Sequence, residues 1–242
     1  TGISTKGESY GIYNEYGTIT TLTNNGAIKG ASTEKSGYGI DNVEGTITTL
    51  INNGSITGIS TEDYGAGIYI DGTITTLTNK GSIKGGSCGI DNYAGTITTL
   101  TNKGFIKGTS TEKSVYGIDS AGTITTLTNT GVVYGGTNAI KNDSGTISNA
   151  YNYGLLVSST GDTVSGVTLT KNLGIIFKDV SGTYSAKDNT DFEKFGKAFD
   201  SDDKEYRIIN VKANGTCDSI TGTESLTLEE GALLYGVSET EV

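Results

Sequence analysis

The chain has no histidine, and that absence removes more chemistry than any other feature of its composition. Without an imidazole there is no Ser-His-Asp or Cys-His catalysis and no His-based zinc site; carboxylates, hydroxyls and lysines are the groups left. Basic charge is scarce too. Arg207 is the single arginine, the lysines are scattered along the chain, and the formal net charge is −10. With no basic stripe to neutralise phosphates, no nucleic acid partner is expected, and anionic membrane surfaces are disfavoured for the same reason. Two cysteines, Cys88 and Cys217, are too few for a disulfide framework and fit either a reducing compartment or a secreted bacterial protein that avoids disulfides. No run approaches the ~20 apolar residues of a membrane-spanning helix, and no signal-peptide pattern opens the sequence. Methionine is missing entirely, which sets the expectation that Thr1 is a processing boundary or an artificial start.

What the chain has in excess is glycine, 37 residues of 242, together with a repeat. The apolar share of 33% approaches the globular norm once glycine is added, and its recurrence at fixed intervals argues for a packed core rather than disorder. GTITTLTNNGAIKG at 17–30 returns as GTITTLINNGSITG at 45–58, GTITTLTNKGSIKG at 72–85, GTITTLTNKGFIKG at 95–108 and GTITTLTNTGVVYG at 122–135. A weaker copy, GTISNAYNYGLL, covers 145–156. A Gly-Ile pair precedes each of the first five, and Ala139-Ile140 the last, at spacings of 28, 28, 22, 28 and 22 residues. The unit is therefore 22 residues with an optional six-residue insert, found at Ala31 to Ser36, Ile59 to Tyr64 and Thr109 to Ser114. The opening Thr1 to Lys6 matches that insert, so the natural protein is expected to continue upstream.

Runs of three or four β-branched residues between glycines are too short for helices, and threonine and glycine are poor interior helix residues. Such short strands bury nothing alone. Stacked in register at ~4.8 Å, they place equivalent residues above one another. Four inward columns are predicted: Ile12, Ile40, Ile68, Ile90, Ile118 and Ile140; Ile19, Ile47, Ile74, Ile97, Ile124 and Ile147; Leu22, Leu50, Leu77, Leu100, Leu127 and Ala150; and Ile28, Ile56, Ile83, Ile106, Val133 and Leu156. Asn24, Asn52, Asn79, Asn102, Asn129 and Asn152 form a polar column, expected to bond as a ladder and to satisfy turn backbone.

The expected fold is an all-β parallel β-helix, a β-solenoid of 22- or 28-residue rungs, regular over 1–178, with degenerate rungs or a capping region of the same solenoid over 179–242. Phe192, Phe195 and Phe199 stand at helical spacing, so one short helix is expected there. Cys88 and Cys217 should lie several rungs apart, too far for a bond, leaving two free thiols.

The GTITTLTNNGAI copies resemble the repeats of autotransporter passenger domains, the type V secreted surface proteins of Gram-negative bacteria. The resemblance covers residues 2–156. It implies a right-handed β-helix carried outward by a C-terminal membrane barrel, which this chain lacks, so the chain resembles a passenger fragment at the bacterial outer-membrane surface or secreted from it. Many such passengers are adhesins, which implies virulence-related cell adhesion rather than enzymatic activity. The expected partners are host-cell or bacterial surface glycans or proteins, with self-association also open and any membrane contact made only through a barrel. No metal or other cofactor is expected, since the Gly-Gly-x-Gly-x-Asp pattern of calcium-binding β-rolls is missing.

Contact candidates are the insert residues Ser32, Thr33, Glu34, Lys35, Thr61, Glu62, Asp63, Thr111, Glu112 and Lys113, and a row taken as exposed through Tyr13, Asp41, Tyr69, Asp91 and Asp119, ending at Lys141. Two other classes stay open. Outward threonines of Thr18-Ile19-Thr20 and its copies suit an ice- or crystal-binding surface. Asp91 and Asp119, equivalent on adjacent rungs, suit the ~5 Å carboxylate separation of a carbohydrate-active enzyme.

Overall fold

A computed structural model describes residues 1–110 and 114–178, and among these every regular element is a β-strand. The phenylalanine helix, Cys217 and the proposed capping region fall outside the described residues. All strand pairings are parallel, and the chain winds as a parallel β-helix. Each regular rung contributes three stretches: the Gly-Ile stretch, the Thr-Ile-Thr-Thr-Leu-Thr-Asn stretch and a short strand centred on the fourth apolar column. The last of these stack into an eight-stranded sheet. The other two share a twelve-stranded sheet, because Gly37–Asn52 and Gly65–Asn79 run through the corner without a break.

The predicted columns are the observed register. Ile12 pairs with Ile40, Ile40 with Ile68, Ile68 with Ile90, Ile90 with Ile118 and Ile118 with Ile140, and the column continues to Val164. The other three columns pair the same way, and the fourth runs on to Ile176. From the second rung to the fifth these side chains are completely or almost completely buried. Several core positions escaped prediction, Ala66, Val132 and Leu155 among them. Ile70 replaces a polar residue in the column Asn14, Asn42, Ile70, Asn92 and is fully buried.

The asparagine ladder is continuous. Each Nδ2 donates to the Oδ1 of the next rung, from Asn24 through Asn52, Asn79, Asn102, Asn129 and Asn152 to Asn172, at 2.7–2.9 Å. The same amides also reach backbone carbonyls, as Asn79 does to Phe105 O at 3.1 Å. Two residues beyond each asparagine lies a glycine, and from Gly54 onward close approach requires it: a Cβ on Gly81 would sit 2.0 Å from the Gly54 carbonyl oxygen.

The corner between the first two stretches takes its strain at Tyr16 and Glu44, with φ of 56° and 52°. These are left-handed positions that side chains other than glycine rarely adopt. Gly72 and Gly122 reach the next stretch with one corner residue fewer, which accounts for the register shift between Val43 and Thr46.

The first two inserts are not loose loops. Ala31 and Ser32 pair with Ile59 and Ser60 as strand extensions, and Ile3 and Ser4 pair with Ala31 and Ser32. Further out, Thr61 N–H donates to Ser32 O at 3.2 Å and Glu62 N–H to Thr33 O at 3.0 Å. Inserts on consecutive rungs therefore stack, whereas the third follows a rung that closes directly through Gly85-Gly86-Ser87 and has no insert beneath it.

Replacing Asn79 by alanine strands a donor on Asn52 and acceptors on Asn102 and Phe105, all inside the coil. The expected cost is about 2–4 kcal/mol, read as a fall in the urea unfolding midpoint. Asn53→Ala removes an exposed outer contact to Asn25 and should cost less than about 0.5 kcal/mol. Equal losses would show that the inner ladder carries no special share of stability.

Candidate functional site: a tyrosine and aspartate ridge

The Gly-Ile corner determines what this face shows to solvent. A Cβ on Gly11 would fall 2.5 Å from Ile28 Cγ2, inside the coil. Ile12 also packs against the core. Two successive residues thus face inward, and the residues before and after them, Tyr10 and Tyr13, both project from the same side. Repetition makes two columns: Tyr10, Tyr38, Ala66, Cys88, Tyr116 and Asn138, and beside it Tyr13, Asp41, Tyr69, Asp91, Asp119 and Lys141.

Tyrosine rings from several rungs join along this ridge. Ring centroids are 4.7 Å apart for Tyr10 and Tyr13, 5.7 Å for Tyr10 and Tyr38, 5.3 Å for Tyr38 and Tyr69, and 5.8 Å for Tyr69 and Tyr93. Such contacts contribute about 0.5–1.5 kcal/mol each beyond the area they bury. Where the first column shrinks to Ala66 and Cys88, Tyr64 from the end of the second insert fills the space. Its hydroxyl donates to Asp91 Oδ2 at 2.7 Å and lies 2.9 Å from Cys88 Sγ. Cys88 is a free, buried thiol whose pKa burial pushes well up.

This geometry corrects the expectation of an exposed row. Tyr13 is 46% exposed, but Asp41 and Asp91 are only 4% and 9% exposed, and Tyr69, Asp119 and Lys141 are half-buried. The reason is reach: an aspartate side chain is shorter than the tyrosines on the neighbouring rungs, and Tyr64 extends across to Asp91. Ser32 is likewise buried, donating to Gly7 O and accepting from Lys35 N–H, and is no surface contact. Thr33, Glu34, Lys35, Thr61, Glu62 and Asp63 are exposed as expected. Thr111, Glu112 and Lys113 fall outside the described residues. The inserts and the ridge are contiguous, since the inserts end at Ser36 and Tyr64, directly before the ridge strands.

Burial, with the nearby charges of Glu8 and Asp71, pushes the Asp41 pKa up to about 7. Burial likewise raises Asp91 to about 6 against the opposing Tyr64 hydrogen bond, and Asp119 adds to the rise. Burial also raises Asp119, with Lys141 opposing it. Burial acts against the Lys141 ammonium, but hydrogen bonds to Asp143 and Tyr116 outweigh it and hold the group charged. Tyr10, Tyr64 and Tyr69 are raised by burial and by neighbouring acids, so all remain neutral hydroxyls able to donate. Sequence reasoning missed Tyr10, Tyr38, Tyr64 and Tyr93. The Tyr-Gly-Ile triplets at 10–12, 38–40 and 116–118 were the available signal for the first two. Among the described residues no group of three or more potential metal-binding side chains occurs.

Comparisons with models of protein families, with curated proteins and with solved structures return no match. The fold and the ridge therefore carry the functional argument by themselves.

A carboxyl whose folded-state pKa exceeds its unfolded value holds its proton more tightly when folded, so stability falls as pH rises from 3.8 through about 7 at Asp41. The protein should be more stable at pH 5 than at pH 8, by on the order of 2 kcal/mol in urea unfolding. Asp41→Asn should flatten most of that dependence. Stability that instead rises with pH over this window would contradict the burial of Asp41 and Asp91.

Proposed function

We propose that this chain is a non-enzymatic, surface-displayed adhesive segment of the autotransporter passenger type, secreted or held at the bacterial outer-membrane surface, that contacts glycans or proteins through the tyrosine ridge and the adjoining insert edge. The observation that carries this reading is the exposed rings on and beside the ridge: Tyr13 and Tyr16 on the first rung and Tyr93 on the fourth are 46%, 68% and 58% exposed. Tyrosines present large apolar area at low entropic cost with a polar tip, which suits sugar rings and protein side chains alike. Repetition along the coil suits many weak contacts acting together. Tyr64 bonds Asp91, and Lys141 lies beside Asp119, which favours carboxylates built into the ridge over an acid and nucleophile pair.

The test is binding of the purified chain to a glycan panel and to host and bacterial cells, against the triple variant Tyr13→Ala, Tyr16→Ala, Tyr93→Ala. Loss of at least about tenfold in avidity is expected, with the unfolding midpoint lowered by no more than the two lost ring contacts, Tyr10–Tyr13 and Tyr69–Tyr93, account for. Removal of 109–114, an insert with no counterpart on the preceding rung, should leave the fold intact and change only edge contacts. Removal of 59–64 also takes away Tyr64 and should lower the midpoint. Undiminished binding by the triple variant would move the contact surface elsewhere.

A second reading rests on the threonines. Thr18, Thr46, Thr73, Thr96, Thr123 and Thr146 pair in register, and Thr20, Thr48, Thr75, Thr98 and Thr125 run parallel two residues on. Five rungs keep the pattern at outward positions that core packing does not dictate. This favours an ordered hydroxyl array for ice or another crystalline surface. Thermal hysteresis in the wild-type chain, abolished by Thr73→Tyr and Thr96→Tyr together, is the expected sign; freezing behaviour equal to that of an ordinary protein would remove this reading.

A further inference from the structure

We propose that Asp41 and the tyrosines around it form a binding site for an organic ammonium group brought by a ligand or partner. Asp41 stands in the column between Tyr13 and Tyr69, with Tyr10 and Tyr38 in the column beside it. The negative charge of Asp41 reaches all four hydroxyls and makes each harder to ionise. Asp41 is 96% buried, its Oδ1 has no hydrogen-bond partner, and it forms no ion pair with any described residue. The charges that do reach it, Glu8 and Asp71, are of its own sign. A buried carboxylate with neither a counter-ion nor a full set of donors is costly to keep, and this one stands among four tyrosines, whose rings attract cations.

The other end of the same ridge shows what such a setting accepts. There the chain supplies its own ammonium: Lys141 Nζ lies 4.6 Å from the centroid of the Tyr116 ring, donates to Tyr116 Oη at 3.3 Å and pairs with Asp143 at 2.7 Å, beside Asp119. Tyr116 occupies the column of Tyr10 and Tyr38, and Asp119 the column of Asp41. The arrangement at Asp41 repeats the tyrosine and carboxylate columns, with neither a lysine nor the Asp143 carboxylate that pairs with it. Tyr13 and Tyr69, on the rungs either side, both reach solvent, so the ammonium enters between them. Methylated ammonium is the better fit to a buried site, because it is more weakly hydrated than a primary ammonium.

The probes are choline, N-acetyl-lysine methylamide and the neutral choline isostere 3,3-dimethylbutan-1-ol, titrated calorimetrically into the whole chain at pH 8 and pH 5.5. Choline is expected to bind saturably, at least about tenfold more tightly than the neutral isostere, and to weaken at pH 5.5 as Asp41 takes up its proton. Tighter choline identifies methylated ammonium as the ligand class, and tighter lysine amide identifies a protein side chain. Asp41→Asn should lose at least about tenfold in affinity with an undiminished unfolding midpoint, and Asp143→Asn, at the far end, should stay within about twofold. Should Asp41→Asn fold poorly, Tyr13→Ala, an exposed position, supplies the same comparison with an expected loss of about threefold or more. Equal binding of the neutral isostere, equal binding by the Asp41 variant, or no saturation by either cation overturns the proposal. The site does not rest on adhesion: a chain that binds cells or glycans but neither cation sinks this inference alone, and the converse result sinks only the adhesive reading.

Discussion

Among the described residues no strand has a partner within its own turn, so the backbone N–H and C=O groups of the strands must be satisfied one rung above or below. That single requirement propagates through the fold. It forces every rung into register with its neighbours, aligns like residues into columns, and makes each substitution a change seen by two other rungs. The glycine at each turn from Gly54 onward follows from it, because rungs spaced for hydrogen bonding bring a carbonyl oxygen to where a Cβ would be. The asparagine ladder does too: an amide that donates and accepts along the same axis is the side-chain equivalent of the backbone ladder, extending the pairing into a place where the turning backbone leaves carbonyls in need of donors.

Outward positions answer to no such rule, and the faces differ in what they do with that freedom. The threonine face keeps nearly the same residues on every rung. The ridge instead varies between tyrosine, aspartate, alanine, cysteine and lysine, so large rings meet small gaps. Tyr64 fills one gap over Ala66 and Cys88, and Asp91 gains a donor through it. At the far end Lys141 balances the acids, whereas Asp41 is buried in the column between Tyr13 and Tyr69 and left without a cation. Electrostatics and packing on this face are therefore one problem: burial is the largest cause of the raised carboxyl pKa values, and neighbouring acids add to it.

Most of the architecture was legible in the sequence. Ile12 to Ile140, Ile19 to Ile147 and the asparagines from Asn24 to Asn152 repeat at fixed offsets, and in a stack an offset of one unit is a direct contact. The extension of the ladder to Asn172 followed the same signature. The inserts were harder to read, since six residues between glycines look like a loop until the rung beneath carries the same six.

What the sequence determined by itself was which residues face inward, because that choice is local: alternation along a strand, interrupted where Gly-Ile turns both neighbours to the core. What only the tertiary structure decided was which outward residues reach solvent. Tyr13, Asp41, Tyr69 and Asp91 occupy one column and appear equivalent in sequence, yet Tyr13 is exposed and the two aspartates are buried. Burial there depends on the length of side chains a full rung or more away and on an insert residue folding back across the column. Those distances in space are small, but along the chain they are 22 to 28 residues, and no local pattern carries them.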